Sequence, residues 1–139
     1  MGVSVELTFP AEPEAEKLLH AGNECIKNQR LAEAVRFYED GLAHATDVEL
    51  RAALLSNCCS ALAHQQRWDD ALQVAQKCVK LRPEWPRSHW CEGSALEGVG
   101  RQQEALDAFK RALHLDPEVP VRLSFCHPIP RALQQSLSA

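Results

Sequence analysis

Apolar residues recur along the chain at helical spacing. Leu18, Ala21 and Cys25 fall on one stripe, followed by Leu31, Ala34, Val35, Tyr38 and Leu42 on another. Leu55, Cys58 and Leu62 lead into Trp68, Ala71, Leu72, Ala75 and Val79 in the same way. Spacings of three and four place such residues on one face of a helix. The pattern predicts helices over 14–28, 31–45, 49–66, 68–81, 84–99 and 102–115. Arg82-Pro83 and Asp116-Pro117 mark helix ends, because a residue before proline disfavours the helical region. The turns are short, so paired helices should lie antiparallel.

The stripes repeat. A small residue is followed twelve positions on by alanine and four further on by a mostly apolar residue: Gly22–Ala34–Tyr38, Cys59–Ala71–Ala75 and Gly93–Ala105–Phe109. Ala71 to Ala105 is 34 residues, as is Pro83 to Pro117, while Ala34 to Ala71 is 37. Three additional residues therefore lie near Ala43 to Leu50. In this the chain resembles the tetratricopeptide repeat (TPR) family, over about residues 15–117. The third repeat carries Gly93, Leu96, Gly100, Ala105, Phe109, Ala112 and Pro117 on family positions. The second carries Leu55, Leu62, Ala71, Cys78 and Pro83; the first carries Leu18, Gly22, Ala34 and Tyr38 but no closing proline. The resemblance implies an all-α fold, three helix-turn-helix repeats in a right-handed superhelical stack. Its repeats would span about 15–48, 52–85 and 86–119 within a domain at 14–117. Stacked repeats share one core and present a long concave surface.

Outside the repeats, 1–13 reads as a flexible lead-in, with Pro10 and Pro13 interrupting a helix. The Pro-rich tail, 118–139, contains alternating Val121, Leu123 and Phe125, which suit an extended segment. Ile129, Leu133 and Leu137 sit four apart, so a short capping helix at 130–138 stands beside a loose tail as the two readings.

Composition narrows the function. A formal charge of −4, scattered along the chain, argues against a nucleic-acid binder. No run of 18 apolar residues spans a membrane. MGVSVELTFPAEPE lacks the basic and apolar regions of a secretory signal. The expectation is a cytoplasmic chain whose cysteines, six in all, are free thiols. Their spacing suggests no metal site, and Cys126-His127 is an isolated pair. No nucleophile–base pair or phosphate loop appears, so neither catalysis nor a cofactor is expected. The six histidines read as surface residues. Trp68 and Trp90 read as core, and Trp85 as packing at a repeat junction.

Within the family, the text around Gly22-Asn23, Leu55-Ser56-Asn57 and Arg82-Pro83-Glu84-Trp85 is similar to the co-chaperone subgroup. That subgroup clamps the carboxylate-ended tails of heat-shock proteins 70 and 90. By resemblance, Asn23 and Asn57 match clamp asparagines, and Arg87 stands where a cation is usual. Leu19 and Cys91 replace the other two cations. Ile26, Ser60, Ala63 and His64 would form the groove walls. Hydrogen bonds to charged groups contribute roughly 1.5–3 kcal/mol each, so two losses would cost about 3–6 kcal/mol. The resemblance thus implies an adaptor that binds an extended peptide and takes chaperone tails weakly. The alternative is a non-clamp scaffold or self-associating module that ignores such tails.

Overall fold

The computed structural model describes residues 12–122 and 130–138. Among these residues the fold is helical throughout. Its elements are α1 (Pro13–Lys27), α2 (Leu31–His44), α3 (Val48–His64), α4 (Trp68–Leu81), α5 (Pro86–Gly98) and α6 (Gln102–Leu115), then a single turn α7 (Val119–Arg122) and α8 (Arg131–Ser138). The periodic stripes locate the first six helices to within about two residues. Consecutive helices pack on one another, and α3 also packs on both α1 and α5, so the first helices of the repeats lie side by side.

Each helix pair turns by the same device. Gln29, Gln66 and Gly100 adopt left-handed conformations at φ 59°, 60° and 90°. The next amide in each case closes the preceding helix: Arg30 N–H donates to Cys25 O, Arg67 N–H to Leu62 O and Arg101 N–H to Leu96 O. These bonds satisfy carbonyls that a helix end otherwise leaves orphaned. Arg30, Arg67 and Arg101 then pair with Glu33, Asp70 and Glu104 in the first turn of the following helix.

The core follows from small residues meeting large ones. Gly22 lies under the Tyr38 ring and Gly93 under the Phe109 ring, so close that a Cβ at either glycine would overlap the ring. Trp90 meets Phe109 edge-on at 4.9 Å. Ala34, Ala71, Ala105 and Ala112 are fully buried at the helix crossings. A second cluster joins Ala52, Leu55 and Cys78 to Leu42, Leu81 and Trp85, which places Trp85 at a repeat junction. Cys25, Cys58, Cys59, Cys78 and Cys91 are buried free thiols.

Several expectations are corrected. Pro13 does not interrupt a helix but opens α1, where its missing N–H costs nothing. Glu12 is no part of a flexible lead-in: its carboxylate accepts from the Thr46 and Asp47 amides and the Thr46 hydroxyl, tying the start of α1 to the α2–α3 connection. Residues 1–11 lie outside the described residues. Val121 belongs to a helical turn rather than an extended segment, whereas Leu123, Phe125 and Ile129 fall outside the described residues. His89 is not a surface residue; it is buried, with Nε2 2.6 Å from the Pro83 carbonyl. Trp90 is buried as expected, but Trp68 is only half-buried, its ring resting on Gly98. In the tail, α8 packs on α6 with Ala132 and Leu133 buried, and the Ala132 amide donates to Glu97 Oε2 at 2.8 Å.

Candidate functional site

The three first helices each contribute one polar side chain to a continuous hydrogen-bonded ladder. Asn23 stands on α1, Asn57 on α3 and Arg87 on α5. Asn57 Nδ2 donates to Asn23 Oδ1 at 3.0 Å. Arg87 Nη2 donates to Asn57 Oδ1 at 2.8 Å. The Tyr38 hydroxyl, reaching across from α2, donates to Asn23 Oδ1 at 2.6 Å. All three rungs are half-buried.

The ladder fixes which way each amide faces. Asn23 Oδ1 accepts from two donors, so its Nδ2 must point away from them. A carboxamide carries two N–H donors on nitrogen and an acceptor on oxygen. Both Asn23 donors and one Asn57 donor therefore have no partner among the described residues. Arg87 keeps further guanidinium donors, and its plane is steadied by Trp85, whose ring centroid lies 5.9 Å away. The same ring takes Arg82 at 4.8 Å. The arrangement offers several N–H groups and one fixed positive charge, which is what an oxyanion requires.

The other residues singled out by the sequence sit around this ladder. Leu19 lies one turn before Asn23 on α1, half-buried and packed on the core, as is Ile26. Ser60 and Ala63 are half-buried on α3. His64 is exposed at the end of α3, with Nδ1 2.7 Å from the Ser60 carbonyl. None of these five joins the ladder. Cys91 is buried, its Sγ 3.6 Å from Ser56 Oγ, so an arginine there would have to push past that packing. Hydrogen bonding from Cys59 pulls the Cys91 thiol down to about 7; burial opposes this, and Arg87 and Ser56 assist it. Cys59 is pushed up by the same contact. Burial raises Cys58 and Tyr38 to about 12.

Tyr38 is the member that sequence reasoning missed. It reads as an apolar-face residue, yet a buried tyrosine needs a partner for its hydroxyl. Asn23, beside the glycine that receives the ring, is the natural one. Among the described residues no cluster of His, Cys, Asp or Glu could hold a metal ion, and no helix is long and apolar enough to cross a membrane.

Known proteins share both the sequence and the fold. The chain is 31% identical over 104 residues to an Hsp70-Hsp90 organising protein of Plasmodium falciparum, which covers 75% of this chain and 40% of that protein. It is 34% identical over 103 residues to the Hsp70-Hsp90 organizing protein of Triticum aestivum, covering 74% of this chain and 17% of that one. Among solved structures, the first TPR of Spaghetti (RPAP3) bound to the HSP90 peptide SRMEEVD superposes with a TM-score of 0.75 at 21% identity, covering 93% of this chain and 97% of that one. The chain has the tetratricopeptide repeat fold. No family model matches it. This TPR chain spans well under half the length of the curated relatives it matches.

Proposed function

We propose that this TPR chain is a peptide-binding adaptor of the chaperone-associated type. Its groove would hold the free carboxylate end of an extended peptide, and residues 14–117 would form the module with α8 as its cap. The observation that carries the reading is the Tyr38–Asn23–Asn57–Arg87 ladder, which leaves amide and guanidinium N–H groups uncommitted across three repeats. The named relatives are organising proteins for Hsp70 and Hsp90, and a structural neighbour holds an HSP90 peptide. Heat-shock tails are thus the reference ligand, a cytoplasmic setting fits them, and the role is binding rather than catalysis.

Affinity for such tails should be modest. With Leu19 and Cys91 in place of two cations, roughly 3–6 kcal/mol of charge-assisted bonding is absent, which places binding at about tens of micromolar or weaker. Calorimetry with SRMEEVD and with the same peptide amidated at its C-terminus is the experiment. The free acid should bind at least about fivefold more tightly, and Arg87→Gln should remove that difference. Equal binding of acid and amide would refute carboxylate recognition. It would favour the scaffold reading, which the apolar Leu19 and the buried Cys91 support.

A further inference from the structure

The ladder accounts for one carboxylate and no more. Asn23 and Asn57 supply neutral donors, and Arg87 supplies the single fixed charge among the nine residues assigned to the groove. Next to Asn23 the wall is apolar: Leu19 and Ile26 flank it one turn to either side, half-buried against the core. Ala63 continues this character on α3. The lysines and histidine nearest on α1 do not replace the absent charge at Leu19. Lys17, His20 and Lys27 are exposed, and Lys27 is paired with Glu24 at 3.1 Å.

Charge complementarity then sets the occupant. A terminal carboxylate reaching the ladder meets Arg87 and the free amide donors. A second acidic side chain, placed against Leu19 and Ile26, would lose water and gain no cation in return, and an ionised group that is desolvated without a partner is strongly disfavoured. An apolar side chain at the same place gains burial instead. Resting on the carboxylate reading above, we propose that the groove selects peptides with a free C-terminal carboxylate preceded by apolar rather than acidic side chains, and that Leu19 is the residue that sets this preference.

The experiment compares three peptides on the full chain by fluorescence anisotropy. They are SRMEEVD, the analogue SRMLLVL with leucine at its three acidic positions and a free carboxylate, and that analogue amidated. The expected order places the leucine acid about tenfold tighter than SRMEEVD, with amidation costing a further several-fold. Leu19→Lys, checked for helical content, should invert the order of the two acids. If SRMEEVD binds as tightly as the leucine acid or more so, the proposed selectivity is overturned while carboxylate recognition stands. If the leucine acid binds best but amidation changes nothing, the groove reads apolar surface alone, and the carboxylate reading falls with the proposal. Absence of binding by all three overturns both.

Discussion

The first and third repeats solve one packing problem with two different rings. In each, a glycine on the first helix receives an aromatic residue sixteen positions later on the second: Gly22 under Tyr38, Gly93 under Phe109. The rings are equally buried. What differs is one oxygen. Tyr38 carries a hydroxyl that bonds to Asn23 and so orients the ladder, whereas Phe109 meets Trp90 at an interplanar angle of 63° and contributes packing alone. The steric slot belongs to the fold and the hydroxyl belongs to the site. A repeat can keep the former while shedding the latter.

The largest break in this comparison comes from emptying the slot. Phe109→Ala should cost about 3–5 kcal/mol, as expected for a fully buried aromatic, read as a fall in the urea midpoint. Overfilling is milder. Gly93→Ala and Gly22→Ala should each lose about 1–3 kcal/mol because the new Cβ meets the ring, although alanine's better helix propensity offsets part of that. If either alanine variant melts like the parent, the close ring contact does not exist in solution.

The second and third repeats should also respond differently to pH. Cys91 in the third repeat is lowered from 9.0 to about 7, so its unfolded form holds the proton longer. Stability from Cys91 should be complete above pH 9 and fade as pH falls through 7. Cys58 is raised from 9.0 to about 12, so its contribution is complete below pH 9 and fades above it, by about 1.4 kcal/mol for each pH unit. Urea melts from pH 6 to 10.5 should therefore show a rise and then a fall. Cys91→Ser should abolish the rise and leave the fall.

Smaller effects probe the hydroxyl and the turns. Tyr38→Phe makes the first repeat resemble the third; it should cost about 1 kcal/mol of stability, since Asn23 Oδ1 keeps its bond from Asn57. Its mark should be on binding, as a several-fold loss of affinity for a carboxylate-ended peptide. Gln29→Gly brings the first turn to the Gly100 solution of the third repeat. It should stabilise by about 0.5–1 kcal/mol, because glycine adopts positive φ without the Cβ penalty.

These contrasts also explain what could be read from the chain before its structure. The six long helices were legible because Ala34, Ala71 and Ala105 recur with their apolar stripes in register, and periodicity reports buried faces directly. Gln29 and Gln66 were not legible as left-handed turns, since glutamine carries no such signal; only Gly100 does. His89 escaped because its partner is the Pro83 carbonyl, a contact that depends on how the α4–α5 turn folds back. The bond from Glu12 to the α2–α3 connection spans 34 residues and has no local signature. At the site, Asn23, Asn57 and Arg87 were found by resemblance, but their direct bonding to one another was not. That Cys91 is buried also required coordinates, because its position on the helix is compatible with facing the groove.

The central claim is that the free N–H groups of Asn23 and Asn57 receive a terminal carboxylate. The most direct measurement is nitrogen-15 NMR of the two side-chain amides during titration with a carboxylate-ended peptide and with its C-terminal amide. Both Nδ2 signals should move with the free acid and hardly move with the amide, while the backbone of α6 stays still. Identical shifts with the two peptides, or shifts confined to residues away from the ladder, would contradict it.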